Sequence, residues 1–267
     1  MKRYKAKKPD DEDLLKEDII RLASRYGYRR ITALLRTEGW KVNRKRGQRI
    51  WRELGLRIPK KQKKRRRIHL WDGSCISLKP LYQNHVWSYD FVDDRTSDGR
   101  KYKCLTIMDE FTKESLKIKV KRSIKSQDVF EVLSELFLLR GIPEYIRSDN
   151  GSEFIAKAVQ DFIRDVGAKT AYITPGSPWE NGYIERFNGT LRDELLNREA
   201  FHSLIEARIM IEIYRQEYNK IRPHSSLNYM APETFFLFTK SKIMPLKLLP
   251  IHLLQISEID KVYFLLK

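Results

Sequence analysis

The sequence predicts an α/β domain that follows a small all-α domain, and two observations lead to this prediction. In the later, larger part of the chain, strand-like stretches come first and long helical stretches come later, an order that favours an α/β sheet over a barrel. In the earlier part, three short apolar helical faces are separated by breaks at Tyr26-Gly27-Tyr28 and Glu38-Gly39-Trp40.

Each element of the larger domain is predicted from its own pattern. The segment Val86 to Val92 nearly alternates apolar with polar or small residues, which is typical of a strand. Apolar residues at Val129, Val132, Leu133, Leu136 and Leu139 give the first helix its period. The predicted strands are residues 86–92, 103–109, 116–121, 144–147 and 169–172, and the predicted helices are residues 127–140, 152–166, 178–197 and 203–218.

Three acidic residues stand in short contexts rich in Asn, Gly and aromatic residues: Asp90, Asp149 and Glu185. Asp90 lies on a predicted strand, and Asp149 follows another strand and precedes the turn signal Asn150-Gly151. Loops at strand ends are where α/β proteins place their chemistry. Three carboxylates supply the hard oxygen ligands that two Mg²⁺ ions need to stabilise the attacking and leaving oxygens of a phosphodiester. The pattern therefore predicts a two-metal phosphodiester site.

The assignment of Glu185 requires a choice, because Glu180 is only five residues earlier. Ser177, Pro178 and Glu180 fit the N-cap, first and third positions of a helix, so Glu180 is interpreted as a capping residue. From Glu185 the same helix presents Asn188 at i+3 and Arg192 at i+7 on one face. A carboxylate, an amide and a guanidinium in one stripe suit a metal ion and a DNA phosphate.

Charge independently predicts a nucleic-acid partner. The 267 residues include 53 Lys and Arg against 35 Asp and Glu, a net charge of +18, which produces a field that attracts phosphate backbones. Fourteen basic residues and one acidic residue lie between Lys41 and Arg67. The alternatives for this run are a solvated linker or, in a eukaryotic host, a nuclear-import signal.

Three short helices with basic residues on the last one predict a helix-turn-helix. The alternative is a small structural bundle that links domains. The candidate DNA-binding residues are Arg44, Lys45, Arg46, Gln48 and Arg49 of the third helix, followed by Lys60 and Lys61. Gly47 falls inside this helix, where glycine costs roughly 1 kcal/mol relative to alanine, and the sequence offers no reason for it.

Two cysteines, Cys75 and Cys104, cannot supply a Cys₄ or Cys₃His zinc site, and Cys104 is expected to be a reduced core thiol. The sequence contains no signal-peptide-like segment and no apolar stretch of 18 residues, so we expect a soluble intracellular protein. Among the other acids, Asp93 and Asp94 are interpreted as solvated loop residues. Asp109 closes a predicted strand and could approach the site.

Several phrases of the chain, taken in order, resemble one protein family. They are Trp-Ser-Tyr-Asp-Phe-Val-Asp-Asp-Arg, Leu-Thr-Ile-Met-Asp-Glu-Phe-Thr, Arg-Ser-Asp-Asn-Gly-Ser-Glu-Phe, Asn-Gly-Tyr-Ile-Glu-Arg-Phe-Asn-Gly-Thr-Leu-Arg-Asp-Glu and Tyr-Asn-Lys-Ile-Arg-Pro-His-Ser-Ser-Leu. With the 35 residues between Asp149 and Glu185, they resemble the catalytic core of DDE transposases and retroviral-type integrases. The resemblance is strongest to the bacterial insertion-sequence family typified by IS3. Within this family the chain resembles the product of the downstream reading frame.

The resemblance implies an RNase H-like integrase core, a mixed five-stranded sheet flanked by helices, preceded by a helix-turn-helix-like segment. It implies that Asp90, Asp149 and Glu185 are catalytic and hold two Mg²⁺ ions, for which Mn²⁺ can substitute. It further implies that Asn150, Asn188 and Arg192 position DNA or the carboxylates. The implied partners are the DNA of the element ends and the target, further copies of the chain in a homo-multimer, and an upstream reading-frame product. The implied location is the bacterial cytoplasm. The resemblance also implies that the first strand transfer joins one element end to the other and gives a circular intermediate.

The predicted domains are a helix-turn-helix-like DNA-binding domain (1–59), a basic linker (60–80), an RNase H-like catalytic core (81–239) and a C-terminal tail (240–267) to which no role is assigned. The predicted function is that of a transposase for Mg²⁺-dependent DNA strand cleavage and strand transfer. Two alternatives stay open at this stage: a truncated or decayed copy that acts only as a DNA-binding regulator, and a purely hydrolytic RNase H-like nuclease.

Overall fold

The computed structural model describes residues 10–57, 78–148, 159, 161–172 and 181–243. The smaller domain comprises helices α1 (Glu12–Ala23), α2 (Tyr28–Thr37) and α3 (Arg44–Glu53). The three helices bury one apolar core between them. This core consists of Leu15, Ile19, Ile31, Leu35, Val42, Ile50 and Trp51. The predicted all-α domain ahead of the larger domain is therefore confirmed.

Close packing of α2 against α3 explains Gly47. The glycine is buried, and a Cβ atom at this position would lie 2.5 Å from Oγ1 of Thr32 on α2, well inside van der Waals contact. The Thr32 hydroxyl donates a hydrogen bond to the main-chain oxygen of Tyr28 at 2.7 Å, so it is held in place. The missing side chain allows the two helices to approach, which offsets the low helix propensity of glycine.

The larger domain contains a mixed five-stranded sheet. Its strands are β1 (Val86–Arg95), β2 (Lys101–Asp109), β3 (Ser115–Lys121), β4 (Tyr145–Ser148) and β5 (Lys169–Tyr172). Their order in the sheet is β3-β2-β1-β4-β5. The central strand is β1, which pairs antiparallel with β2 and parallel with β4. All five predicted strands are present, and the fold class predicted from the sequence is confirmed.

The prediction ended β1 too early. The strand continues to Arg95, and the register pairs Asp93 with Lys103 and Asp94 with Tyr102. The Tyr102 hydroxyl donates a hydrogen bond to Oδ2 of Asp94 at 3.0 Å. Both acids therefore belong to the sheet and not to a solvated loop, because cross-strand partners at the end of β2 extend the ladder.

Helices cover both faces of the sheet. Helix α4 (Ser126–Arg140) and the helical residues 161–165 pack on one face. They share a core with Trp87, Leu105 and Ile107 of the sheet. The other face is covered by α5 (Gly182–Leu191), a π-helical turn (Arg192–Leu196) and α6 (Leu204–Lys220). The core of this second face includes Val92, Cys104, Met108, Phe187, Leu191, Ile211 and Tyr218.

Other predicted features fall partly outside the described residues. These are most of the helix at 152–166 and the helix start at Ser177, Pro178 and Glu180. The last described helix, α7 (Pro232–Ile243), runs across the predicted domain boundary at 239. Among the described residues, no helix is both long enough and apolar enough to cross a bilayer.

A buried ion pair connects the end of β2 to β4. Nη1 of Arg147 donates to both carboxylate oxygens of Glu110, at 3.0 and 3.1 Å, and both side chains are buried. Burial raises the pKa of Glu110 to about 7, and the Arg147 guanidinium opposes this shift. Removing either partner would leave a buried charge uncompensated, so the pair fixes β4 beside the central strand.

We expect Gly47→Ala to destabilise the helical domain. Overpacking against Thr32 should cost about 1–3 kcal/mol, more than the roughly 1 kcal/mol gained in helix propensity. Thermal unfolding of the full chain would measure this effect. The added Thr32→Ala substitution should restore part of the loss. The control is Gly189→Ala, also inside a helix, where a Cβ atom would meet no atom within 4 Å. An unchanged or higher unfolding temperature for Gly47→Ala would contradict the packing argument.

Candidate active site

The carboxylate of Asp90 lies in the middle of the central strand and is half-buried. Oδ1 accepts a hydrogen bond from the main-chain N–H of Phe91 at 2.7 Å, and Oδ2 accepts one from the Asn188 side-chain amide at 2.7 Å. Asn188 is on α5, so this second hydrogen bond joins the helix to the sheet. The two contacts fix the orientation of the carboxylate.

Thr106 fixes the Asn188 amide in turn. Its buried hydroxyl lies 2.9 Å from Oδ1 of Asn188 and 3.1 Å from the main-chain oxygen of Asp90. Because the amide oxygen accepts from Thr106, the amide nitrogen is directed at the Asp90 carboxylate. The sequence reasoning missed Thr106. Its role depends on the antiparallel register of β2, which places it directly opposite Asp90 and which no local sequence pattern shows.

Glu185 lies one helical turn before Asn188, on the same side of α5. Its side chain is exposed, and it makes no hydrogen bond or ion pair with any described residue. Arg192, seven residues after Glu185, donates from Nη2 to the main-chain oxygen of Asp93 at 3.0 Å. Asn188 and Arg192 therefore contact β1 at two points.

Asp149 and Asn150 lie outside the described residues, as do Lys60 and Lys61. The described part of β4 ends at Ser148, which pairs with Tyr89 of β1. Asp149 is the next residue of the chain after Ser148, and Asp90 is the next residue after Tyr89.

The donor set fits divalent cations that prefer oxygen. Asp90 offers an oriented carboxylate, and Glu185 offers an exposed carboxylate without a protein partner in the described part of the chain. Both groups supply the hard oxygen ligands that Mg²⁺ accepts. Within the described residues no group of three His, Cys, Asp or Glu side chains is close enough to hold a metal ion; the third predicted acid, Asp149, lies outside them.

The predicted DNA-binding residues of α3 differ in their contacts. Arg46 forms an ion pair with Asp11 at 2.5 Å, and Arg49 forms ion pairs with Glu12 at 2.6 Å and Glu53 at 2.7 Å. These two arginines thus connect α3 to the N-terminal end of α1. By contrast, three other basic residues of α3 are exposed and make no ion pair with a described residue: Arg44, Lys45 and Arg52.

Arg52 was missed by the sequence reasoning. It lies eight residues after Arg44 and four after Gln48, so the three side chains share one face of α3. Helical periodicity applied to the basic residues would have found it.

Asp109, Cys104 and His224 have structural roles. Asp109 is buried and accepts hydrogen bonds from the main-chain N–H groups of Asn84 and Thr112, both at 2.7 Å, which holds the turn after β2. Burial raises the pKa of the Cys104 thiol to about 12, so it remains a protonated core residue, as predicted. Burial likewise lowers the pKa of His224 to about 2, which keeps its imidazole neutral.

Comparison with known proteins identifies the family. Family models described as "Integrase core domain" match residues 81–178 and 166–232, and one described as "HTH-like domain" matches residues 9–65. A protein of insertion element IS407 from Burkholderia multivorans is 41% identical over 235 residues, which are 87% of this chain and 84% of that protein. The chain belongs to the IS3 family of insertion-sequence transposases. The family predicted from the sequence is therefore confirmed.

Other relatives extend this comparison. A protein of insertion element IS476 from Xanthomonas euvesicatoria is 41% identical over 79% of this chain and 60% of its own length. The transposase for IS904 from Lactococcus lactis is 29% identical over 88% of this chain and 98% of its own length. Among solved structures, the HTLV-2 integrase catalytic core domain in complex with magnesium aligns over 59% of this chain and 99% of that chain, with 20% identity and a TM-score of 0.47.

We expect Asn188→Ala to weaken metal binding by this insertion-sequence protein. Without the amide donor the Asp90 carboxylate loses its fixed orientation, and loss of such a supporting hydrogen bond typically costs about 10–100-fold in metal affinity. Titration with Mn²⁺ by calorimetry would measure this change. Thr106→Val, which removes only the hydroxyl that orients Asn188, should give a smaller loss. The matched control is Thr190→Val on the same helix, whose hydroxyl donates a hydrogen bond to the main-chain oxygen of Arg186. Equal Mn²⁺ affinity in all four proteins would contradict this role.

Proposed function

We propose that the chain is a transposase that catalyses Mg²⁺-dependent DNA strand cleavage and strand transfer during transposition of an insertion sequence. The observation that carries this proposal is the hydrogen bond by which Asn188 orients Asp90, with Glu185 exposed one turn earlier on the same helix. Membership of the transposase family supports DNA as the substrate class.

In this proposal Asp90, Asp149 and Glu185 are the catalytic residues and would hold two Mg²⁺ ions, or Mn²⁺ in their place. Bound there, the ions would stabilise the attacking and leaving oxygens of a phosphodiester. Asn188 would keep the Asp90 carboxylate oriented during DNA cleavage and during strand transfer. Arg192 has further N–H donors beyond its bond to Asp93 and would bind a DNA phosphate, and Asn150 would assist beside Asp149.

The reaction has two displacements. In the first, water attacks a phosphodiester at an element end, the P–O bond to the 3′ oxygen breaks, and a 3′-hydroxyl is released. In the second, that hydroxyl attacks another phosphodiester and the displaced 3′ oxygen leaves, so the number of phosphodiester bonds is conserved. We propose that the first joining connects one element end to the other and gives a circular intermediate before insertion.

The proposal also includes the partners. Two element ends must be held together, which requires a homo-multimer, and an upstream reading-frame product would contribute further DNA binding. On DNA in the bacterial cytoplasm, the helical domain (1–59) and the basic linker (60–80) would bind the element ends. The core (81–239) would cut and join the DNA strands. Residues 240–267 receive no role. Lys60 and Lys61 of the linker would contact phosphates.

The contacts within α3 refine the DNA face. Arg46 and Arg49 already neutralise acids of α1, which reduces their capacity to compensate phosphate charge. Arg44, Lys45 and Arg52 keep exposed positive charges, and Gln48 lies between Arg44 and Arg52. We therefore assign phosphate contact first to these three cations.

We expect Glu185→Gln to abolish strand joining while the chain stays folded. An amide is a poor Mg²⁺ ligand compared with a carboxylate, so the rate should fall at least about a thousandfold. The measurement is the appearance of the element's circle junction by PCR in cells supplied with the parent or variant chain, and Asp90→Asn and Asp149→Asn should behave alike.

The control for this experiment is Glu199→Gln, which removes an exposed carboxylate close in sequence. A junction formed equally by the parent and Glu185→Gln would sink the catalytic assignment. If the parent forms no junction, the same assay with the upstream reading frame fused distinguishes a missing portion from a copy that acts only as a regulator.

We expect the double variant Arg44→Ala/Arg52→Ala to bind element-end DNA more weakly. Each lost phosphate contact removes about one unit of counterion release, so the slope of log affinity against log salt should fall by about two. Fluorescence anisotropy between low and physiological salt measures the slope. The control is Lys16→Ala/Arg21→Ala, which removes the same charge from α1. Equal slopes for the two double variants would reject this face.

A further inference from the structure

The helical domain contacts the catalytic core beside the helix that carries Glu185. The turn between α1 and α2 meets the segment after α5: the main-chain oxygen of Ser24 accepts a hydrogen bond from Nη1 of Arg198 at 2.6 Å. The adjacent Arg25 forms an ion pair with Glu217 of α6. These contacts join residues 174 and 192 positions apart in the chain and hold one end of α2 against the core.

Arg30 of α2 continues this contact into the catalytic domain. Its Nη1 donates to Oε1 of Glu194 at 3.2 Å. The same Glu194 carboxylate receives two hydrogen bonds of 2.8 Å from Arg222. The Arg222 side chain is almost fully buried, so Glu194 is already compensated within the core. One carboxylate shared by two guanidinium groups leaves a net positive charge at this place.

A groove of about 500 Å³ runs along α5 at this junction. Glu185, Arg186 and Gly189 of α5 line one side, and Arg30 lines the groove together with Glu194 and Arg222. A side chain of the helical domain and the exposed carboxylate of Glu185 therefore belong to one groove. About a third of the Arg30 side chain remains exposed, and its guanidinium has donors beyond the bond to Glu194.

We propose that Arg30 is a substrate-binding residue of the catalytic groove, supplied by the helical domain of the same protomer. The ligand is a phosphate of the DNA strand whose neighbouring phosphodiester is cut at Glu185. This inference rests on the proposed function and goes beyond it: each protomer cuts the DNA that lies against its own helical domain. Glu194 and Arg222 are positioning residues, because they act by holding Arg30 at the groove.

The physical reason is the balance of charge in the groove. A phosphodiester brought to the carboxylate of Glu185 needs compensating cations close by. The groove is lined by three arginines, Arg30, Arg186 and Arg222, and by three acids, Glu185, Asp193 and Glu194, so cations that can compensate a phosphate lie in the same groove as Glu185. Glu194 prevents Arg30 from turning into solvent, so the guanidinium is oriented before DNA arrives.

The first test compares strand-joining kinetics of Arg30→Ala with those of the full parent chain at saturating element-end DNA. The maximal rate should fall about tenfold or more, while the affinity of the intact chain for the DNA should change less than about threefold. Arg30→Lys should recover part of the rate, because it restores the cation without the planar guanidinium. Arg21→Ala, an equally ion-paired arginine of the helical domain outside the groove, is the control. A parental rate in Arg30→Ala would overturn the assignment.

The second test asks whether the groove is completed within one protomer. Arg30→Ala and Glu185→Gln chains are mixed in equal amounts and assayed together. If both residues act in the same protomer, the mixture joins DNA no faster than half the rate of Arg30→Ala by itself. Recovery well above the rate of either variant would mean that the helical domain completes the groove of a partner copy, and the proposal would be wrong.

A third measurement separates this inference from the proposed function, because it needs no activity. Arg25→Cys and Glu217→Cys are combined in a Cys75→Ser background and treated with a short bis-maleimide; the buried Cys104 thiol is retained. We expect a cross-link within one chain. Cross-links only between differently tagged chains, or none, would overturn the docking. An internal cross-link in the double-cysteine chain, together with a parent chain that joins no DNA, would refute the proposed function and leave the docked arrangement intact.

Discussion

The hydrogen bond between the Asn188 amide and the Asp90 carboxylate is the contact on which the site depends. Asp90 occupies the central strand, where side chains on both faces are covered by helices, and a carboxylate in such a place requires a partner. Asn188 provides one without a charge, so the carboxylate keeps its capacity to bind a cation. Thr106 makes the amide donate in the required direction.

This contact sets where α5 lies on the sheet. Phe187 and Leu191 bury the helix in the core on that face, while Asn188 and Arg192 contact β1 at Asp90 and Asp93. Glu185 is thereby kept outside the apolar core and reaches solvent. The π-helical turn that begins at Arg192 ends the regular helix and brings Glu194 to Arg222 and to Arg30 of the helical domain. One helix thus connects the sheet, the site and the smaller domain.

Much of the core and part of the site could be predicted from the sequence. Alternation located the strands, and the spacing of Glu185, Asn188 and Arg192 identified one face of a helix, because both patterns depend only on local geometry. Thr106 and Arg30 could not be found in this way. Thr106 matters because of the register between β1 and β2, and Arg30 because two separate domains meet. The sequence also gave no reason for Gly47, whose explanation is the single atom Oγ1 of Thr32 on a different helix.

By itself, the sequence determined the fold class, the family and the chemical identity of the candidate residues. Repeated apolar patterns and short acidic motifs can be recognised in the order of the amino acids alone. Only the tertiary structure decided which of these residues have partners. It assigned Arg46 and Arg49 to acids of α1, Asp109 to a turn, and Asn188 to Asp90. The physical reason is that hydrogen bonds and ion pairs between distant segments depend on directions and distances of a few ångströms, which neither composition nor periodicity encodes.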